Sequence, residues 1–452
     1  MIVVKFGGTS VGDAAAIQRA AAIVRSKVSR HPIVVVSALA GTTNALLAIA
    51  EQAVKGQLIG ALRGVETLRE RHLEETETLL GDDGNEVIAE LSAIFDELAS
   101  LAEALSVLGH LTPRSLDTIA ALGEQLSAQM VVAAFVKSGI AAELVEARQV
   151  MITDAAFTRA EPLPDAIAEA ARRIVLPIVR ANRVPVLGGF IGATVEGITT
   201  TLGRGGSDYS AALLGAALQA KAIEIWTDVD GMLTADPRVV SDARLIERIR
   251  FDEASELASF GAKVLHPNTI APAVRRGIPV FIYNSREPKG TGTMITFDAP
   301  RRAVSAIAGK GGTTIVKVRA DRMLLAYGFL RTVFEIFERH RTPVDVVATS
   351  EVSVTVTIDE TDRLEELIVD LRALGDVAVE RNRGIVALVG AGLSDSSSAM
   401  ARALAALDDT RIHMLSLSAT GINLTMILDG DQVDSAMRRL HAAFFGAGAS
   451  SA

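Results

Sequence analysis

The first part of the chain alternates short apolar runs, each closed by glycine or other small residues, with segments of helical period. Ile2 to Phe6 is the first run, and Lys5-Phe6-Gly7-Gly8-Thr9-Ser10 closes it. From Asp13 to about Arg30 the apolar residues Ile17, Ala20, Ala21 and Val24 recur at helical spacing, with Asp13 at the cap position. Ile33 to Val36 repeats the strand pattern, and Ser37 to Asn44 leads into a second helix. Unbroken apolar strands alternating with helices predict a parallel sheet buried on both faces, with ligands gathering at the carboxyl ends of its strands. About Ala48 to Ser138 is almost wholly helical, broken at Gly81-Asp82-Asp83-Gly84 and at Thr112-Pro113. Further strands are predicted at Glu143 to Glu146, Val184 to Gly189, Ala222 to Thr227 and Pro279 to Tyr283. Helices are predicted at Pro164 to Ala181 and Asp208 to Gln219, and Pro288 to Gly292 reads as a linker.

The last third has a different grammar. Strand patterns at Thr313 to Val318, Val344 to Ala348, Val352 to Ile358 and Val377 to Glu380 enclose helices at Phe329 to Arg339 and Asp362 to Leu374, which is one βαββαβ unit. A second unit starts at Ile385 to Gly390. It continues through a helix at Ser396 to Leu407 and strands at Ile412 to Ser418 and Gly421 to Leu428, and its last helix runs from Asp431 to about Phe445. This unit lacks a final strand, whereas the apolar run Ala303 to Ala308 has no partner. The expectation is that this run completes the second unit, so that the first is inserted into it.

Composition narrows the chemistry. A chain of 452 residues is expected to form two or three domains. Its net charge of −9 and the absence of any long Lys/Arg run give no support for nucleic acid or anionic membrane as the main partner. With no cysteine there are no disulfides, thiolate nucleophiles or zinc–sulfur sites. The seven histidines are scattered without an H-x-x-x-H pair, so no protein-built metal site is expected. The N-terminus reads as a strand and turn, and no charge-free apolar run has membrane-spanning length, so a cytoplasmic protein is expected.

Thr199 to Asp208 reads T-T-T-L-G-R-G-G-S-D and runs into a helical pattern. Gly203, Gly205 and Gly206 would let backbone N–H groups approach a ligand, Ser207 or Asp208 is a natural N-cap, and Arg204 adds a fork for a carboxylate or phosphate. Taken alone, the loop is equally a strand-to-helix turn with a surface arginine. Glu124, beside Gly123 in an apolar helix, is either a site residue or a solvated glutamate. Asp228 to Arg238 (D-V-D-G-M-L-T-A-D-P-R) suits a nucleotide's sugar and phosphates, or simply makes two reverse turns. No Walker A pattern, kinase catalytic-loop set, G-x-G-x-x-G fingerprint or nucleophile elbow is present. What remains suits an enzyme that handles a polyphosphate and a small anion by charge neutralisation.

In chain order, K-F-G-G-T-S, F-I-G, T-T-L-G-R-G-G-S-D-Y-S-A-A-L, W-T-D-V-D-G, D-P-R and F-G-A-K-V-L-H-P resemble the aspartokinases of the amino-acid kinase superfamily over essentially the whole chain. Gly-Phe-Leu at Gly328 to Leu330 and T-S-E-V-S-V at Thr349 to Val354 resemble the paired ACT regulatory domains of the lysine-inhibited members. The resemblance implies an α/β amino-acid kinase domain over residues 1–292 and an ACT region over 303–452. Within that region the first ACT domain would span 313–381 and the second 303–310 plus 384–446.

The implied activity is ATP-dependent phosphorylation of the β-carboxylate of L-aspartate, the first step towards lysine, threonine and methionine, with Mg²⁺ on the phosphates. Lys5 is implied for the phosphates with Gly7 and Gly8 as backbone donors, and Asp208 to orient Lys5 or the substrate. Thr43, Glu124, Phe190, Arg204 and Ser207 are implied around aspartate, with Arg204 on a carboxylate and Glu124 near the α-ammonium. Thr227, Asp228, Leu233, Arg238 and Lys263 are implied at the nucleotide; Leu233 stands where relatives often carry tyrosine. Met323, Gly328, Phe329, Leu330, Val344, Asp345, Ser350 and Glu351 are implied to form an L-lysine site, and Ala326 stands where serine is common. ACT domains pairing edge to edge imply a homodimer or a dimer of dimers. The alternative is an amino-acid sensor built on the ACT pair with a silent kinase domain.

Overall fold

A computed structural model of the chain describes residues 1–260, 267–320, 327–359 and 361–446, and counts and absences below refer to these. They form two compact units. The first contains Met1–Met232, Glu247–Phe251 and the stretch ending at Ala299; the second contains Leu233–Ile246, the body of one helix (Phe251–Ser259) and the chain from Pro300 onward.

The first unit is built on strands β1 (Ile2–Phe6), β2 (Pro32–Val36), β3 (Ala142–Val145), β4 (Val184–Gly188), β5 (Ile191–Ala193), β6 (Thr199–Thr201), β7 (Ile223–Thr227), β8 (Arg248–Ile249), β9 (Val280–Asn284) and β10 (Thr293–Ile295). Eight of them make one sheet in the order β3-β4-β2-β1-β7-β9-β10-β8, parallel except between β9 and β10. β5 and β6 form a separate antiparallel hairpin. All residues of β1, β2 and β4 are buried, as continuous apolar strands covered on both faces require. The covering helices are α1 (Ala14–Arg25), α2 (Thr42–Val54), α3 (Leu58–Leu80), α4 (Asn85–Leu108), α5 (Pro113–Lys137), α6 (Pro164–Arg180), α7 (Gly206–Ala217) and, after α8 (Phe251–Ser259), α9 (Ala271–Arg276). Asp13 caps α1 through Ala16 N, as expected. α5 is long and apolar enough to cross a membrane by length and composition, but most of it is buried inside this fold.

In the second unit β11 (Ala306–Arg319), β12 (Val347–Thr349), β13 (Ser353–Ile358), β14 (Asp376–Val389), β15 (Met414–Leu417) and β16 (Asn423–Asp429) form one sheet, ordered β12-β13-β11-β14-β16-β15. It carries α10 (Phe329–Arg339), α11 (Leu364–Arg372), α12 (Ser397–Ala406) and α13 (Val433–Phe445). Where sequence predicts four separate strands, β11 and β14 each run through 14 residues and serve both βαββαβ units. Their glycine-rich middles produce register shifts between Gly311 and Ile315 rather than chain reversals. Ala306 to Ala308 pairs with Ala387 to Val389, so this run does complete the second unit, with the first inserted into it.

The segment Leu233–Ile246 belongs to this second unit, although the sequence places it in the kinase domain. Its own backbone explains why: Ile307 N donates to Thr234 O at 2.8 Å, and Ala235 and Val240 join the apolar cluster of Val386, Leu388 and Leu440. The cluster is closed by α13 lying on the sheet at Gly309 and Gly384. A Cβ at Gly384 would meet Val433 Cγ2 at 2.2 Å and Lys310 O at 3.0 Å, both hard to move because one is β-branched and buried and the other is backbone. Gly384→Ala is therefore expected to destabilise the protein by about 1–3 kcal/mol through overpacking, read as a lowered midpoint in thermal or denaturant unfolding. An unchanged midpoint would mean that α13 does not seat there.

Candidate active site

Lys5 sits in register with Val35 of β2 and Ile225 of β7, at the carboxyl edge of the central strands. It is only 8% exposed, and its Nζ lies 2.7 Å from Asp208 Oδ1. A charge this buried is costly unless an opposite charge meets it. The carboxylate comes from the first turn of α7, where the helix dipole favours a negative group. The expected Ser207 or Asp208 cap is not found. Gly205 occupies the N-cap position with φ of 74° and no capping side chain, so Asp208 is left to pair with Lys5. Two further glycines make the close packing possible. A Cβ on Gly189 would lie 2.6 Å from Ser207 Cβ, and one on Gly206 would lie 2.7 Å from Phe190 Cδ2. Phe190 itself holds a positive φ of 63°, and its N–H donates to Ser210 Oγ at 3.0 Å.

The loop after β2 forms the facing wall, braced from α3: Arg71 donates to Ala40 O at 2.9 Å and to Gly12 O at 3.0 Å. Between the walls is a cavity of about 640 Å³. Of the residues implied for catalysis and substrate, Lys5, Thr43, Glu124, Phe190, Arg204, Ser207 and Asp208 all line it, as does Gly8. Glu124, 4% exposed, projects from α5. Burial pushes its carboxyl up to about 8, partly offset by a backbone hydrogen bond from Ala38 and by the charge of Lys5. Its Oε2 has no hydrogen-bond partner among the described residues, which leaves a buried acceptor facing a cavity. Arg204 is exposed and makes no ion pair or hydrogen bond with the described residues.

Other expected residues lie elsewhere. Gly7 N–H donates to Trp226 O at 3.0 Å, extending the β1–β7 ladder, so it is not a free phosphate donor. Thr227 and Asp228 stand at the end of β7, outside the cavity lining, with Thr227 Oγ1 3.3 Å from Asp228 Oδ1. Leu233 and Arg238 belong to the second unit; Leu233 bridges to Leu245, and the Arg238 guanidinium is held by Asp236 with Nε–Oδ1 of 3.0 Å. Lys263 and Met323 lie outside the described residues. In the second unit, Gly328 caps α10 with φ of 82°, Phe329 is half-buried and Leu330 exposed at the start of that helix, and Val344 is half-buried. Asp345, implied at the L-lysine site, is engaged by Lys310 at 3.2 Å. Ser350 closes a turn on Ser353 (Oγ–Oγ 2.7 Å), and Glu351 is exposed within it. Sequence reading missed Asp117, Thr158 and Thr201 on the cavity wall. The available signal was Asp117 lying seven residues before Glu124, two turns along the same apolar helix face.

Residues 1–284 match the amino acid kinase family and residues 386–444 match the ACT domain. The chain is 38% identical over 454 residues to lysine-sensitive aspartokinase 3 of Escherichia coli, spanning 98% of this chain and 99% of that one. The chain belongs to the aspartokinases of the amino acid kinase family. The structure of E. coli aspartokinase III in complex with aspartate and ADP, an R-state, superposes with a TM-score of 0.85 at 38% identity, covering 98% of this chain and 100% of that one. The T-state structure of that enzyme, in complex with lysine and aspartate, gives 0.84 at the same identity, covering 98% and 99%.

The raised Glu124 carboxyl has a testable consequence. An unfolded chain loses this proton near pH 4.5 and the folded chain only near 8, so between those values the native state holds the extra proton and stability falls as pH rises. Glu124→Gln should flatten that decline in unliganded protein, seen by denaturant unfolding from about pH 4 to 9. Parallel profiles for parent and variant would show that the carboxyl is not raised.

Proposed function

We propose that the protein transfers the γ-phosphoryl group of ATP to the β-carboxylate of L-aspartate, giving 4-phospho-L-aspartate. One observation carries this reading: a buried Lys5–Asp208 pair, a buried glutamate with an unpartnered oxygen and an unengaged arginine share one cavity. A carboxylate nucleophile is already ionised near neutral pH, having a pKa of about 4, and needs no general base. What the site must do is bring two anions together and neutralise the charge that spreads over the transferring group. Lys5, held in place by Asp208, supplies that positive charge beside the glycine turn at Gly8. Arg204 clamps a carboxylate of the amino acid, Glu124 receives its α-ammonium, and Thr43, Phe190 and Ser207 shape the space between. Mg²⁺ would enter with the nucleotide and add positive charge to its phosphates beside Lys5 and Gly8.

The ACT region is read as the regulatory part, with L-lysine as effector. Support comes from the full-length likeness to a lysine-sensitive relative and from the exposed Glu351 turn beside the start of the 353–358 strand. A homodimer or dimer of dimers would form through the sheet edges β12 and β15, the latter presenting Leu415 and Leu417 to solvent. A cytoplasmic location is part of the same reading, supported by the burial of α5. A silent sensor would have no need for the complete set of charges in the cavity.

An aspartyl-hydroxamate assay with ATP tests the activity, and its absence would overturn the reading. Lys5→Met is expected to lower kcat by about 10²–10³-fold with aspartate binding retained, as for loss of one charge-stabilising donor. Arg204→Ala should raise KM for aspartate by about 10–100-fold, the value of a charge-assisted hydrogen bond, and an unchanged KM would remove the clamp. Millimolar lysine should inhibit and Glu351→Ala should relieve it; a response to threonine instead would reassign the effector.

A further inference from the structure

Asp117 is 1% exposed, and both its carboxylate oxygens accept hydrogen bonds within the cavity wall. Its Oδ2 accepts from Thr158 N at 2.8 Å and Thr201 N at 3.1 Å, and its Oδ1 accepts from Thr201 Oγ1 at 2.7 Å. One carboxylate thus ties three pieces of chain: α5, the turn at Thr158 and the end of β6. The two tied segments are also bound to each other, since Ala160 N donates to Thr201 O at 2.9 Å.

Thr158 is a β-branched residue with φ of 72°, a conformation that L side chains with branched Cβ strongly avoid. Such a residue persists only where its surroundings hold it, and here the hold is the hydrogen bond to Asp117. Its carbonyl oxygen is the surface on which the next loop rests, because a Cβ on Gly203 would lie 3.3 Å from Thr158 O. Gly203 and Gly205, both in the left-handed region, flank Arg204. The path from Asp117 to the Arg204 loop therefore runs through Thr158 and Thr201 to Gly203.

Glu124 stands seven residues further along α5, two turns on, at an axial separation of about 10.5 Å. A single rigid helix thus carries both the acceptor offered to the ammonium end of the amino acid and the brace of the loop that meets its carboxylate end. We infer that Asp117 is a positioning residue that fixes the Arg204 loop relative to Glu124 and thereby sets the affinity for the amino-acid substrate. This rests on the aspartate kinase reading above.

The test is steady-state kinetics on the full chain with ATP and aspartate. Asp117→Ala removes both acceptor oxygens and leaves the backbone N–H groups of Thr158 and Thr201 without their partner. It should raise KM for aspartate by about tenfold or more while KM for ATP and kcat stay within about threefold. Thr201→Val, which removes only the hydroxyl donor, should give a smaller rise in the same KM, and Thr201→Ser should restore it. In the double variant Asp117→Ala with Arg204→Ala, KM should equal that of Arg204→Ala alone, because the brace acts through the arginine. Equal losses in both KM values and in kcat, additive effects in the double variant, or no change in Thr201→Val would overturn the inference. If Asp117→Ala does not fold, the Thr201 pair decides by itself. An inactive parent enzyme, or an Arg204→Ala variant with unaltered KM, would instead sink the functional reading.

Discussion

The first unit depends on one electrostatic constraint, the burial of the Lys5 ammonium against the Asp208 carboxylate at the carboxyl edge of a parallel sheet. Desolvating two charges is favourable only when they meet at hydrogen-bonding distance, so β1 and the first turn of α7 must be brought together closely. That requirement explains the local glycines. Gly205 replaces a side-chain cap, and Gly189 and Gly206 remove the Cβ atoms that would separate the end of β4 from α7. The same approach delivers Phe190, Ser207 and Arg204 to one cavity, so the pairing that stabilises the buried lysine also assembles the cavity wall.

Helix α5 supplies the opposite kind of element. Its apolar faces fill the core around β2, β3 and β4, yet it carries two acids seven residues apart on the cavity side. The two solve the burial of charge differently. Asp117 accepts three hydrogen bonds from neighbouring chain, whereas Glu124 keeps an oxygen without a partner and a carboxyl that resists ionisation. On one helix, then, one acid is satisfied within the fold and the other presents an unpartnered oxygen beside the cavity.

Much of this was legible in the sequence, for identifiable reasons. Continuous apolar strands ending in glycine located the sheet and its functional edge, and the orphan run at Ala303 to Ala308 correctly signalled the inserted unit. Lys5, Glu124, Arg204 and Asp208 line one cavity, Lys5 from a strand end, Glu124 from α5 and the other two from the start of α7 and the turn before it. What stayed hidden depends on tertiary hydrogen bonds. Asp117 looks like an ordinary helix aspartate until Thr158 and Thr201 are seen donating to it. Gly7 looks like a free donor until Trp226 O is placed opposite it. The segment from Leu233 to Ile246 follows β7 directly in the chain, and only its backbone bond to Ile307 reveals where it packs.

The shared strands β11 and β14 make the two βαββαβ folds inseparable. Each is a single hydrogen-bonded ribbon of 14 residues, joined in antiparallel register from Ala306–Val389 at one end to Arg319–Asp376 at the other. A twist introduced where α10 and α11 pack must therefore propagate along the ribbon to the half covered by α12 and α13, attenuated only at the irregular step near Gly312. The pair behaves as one elastic beam with a soft midpoint, so neither fold can be excised, loosened or rotated without straining the other.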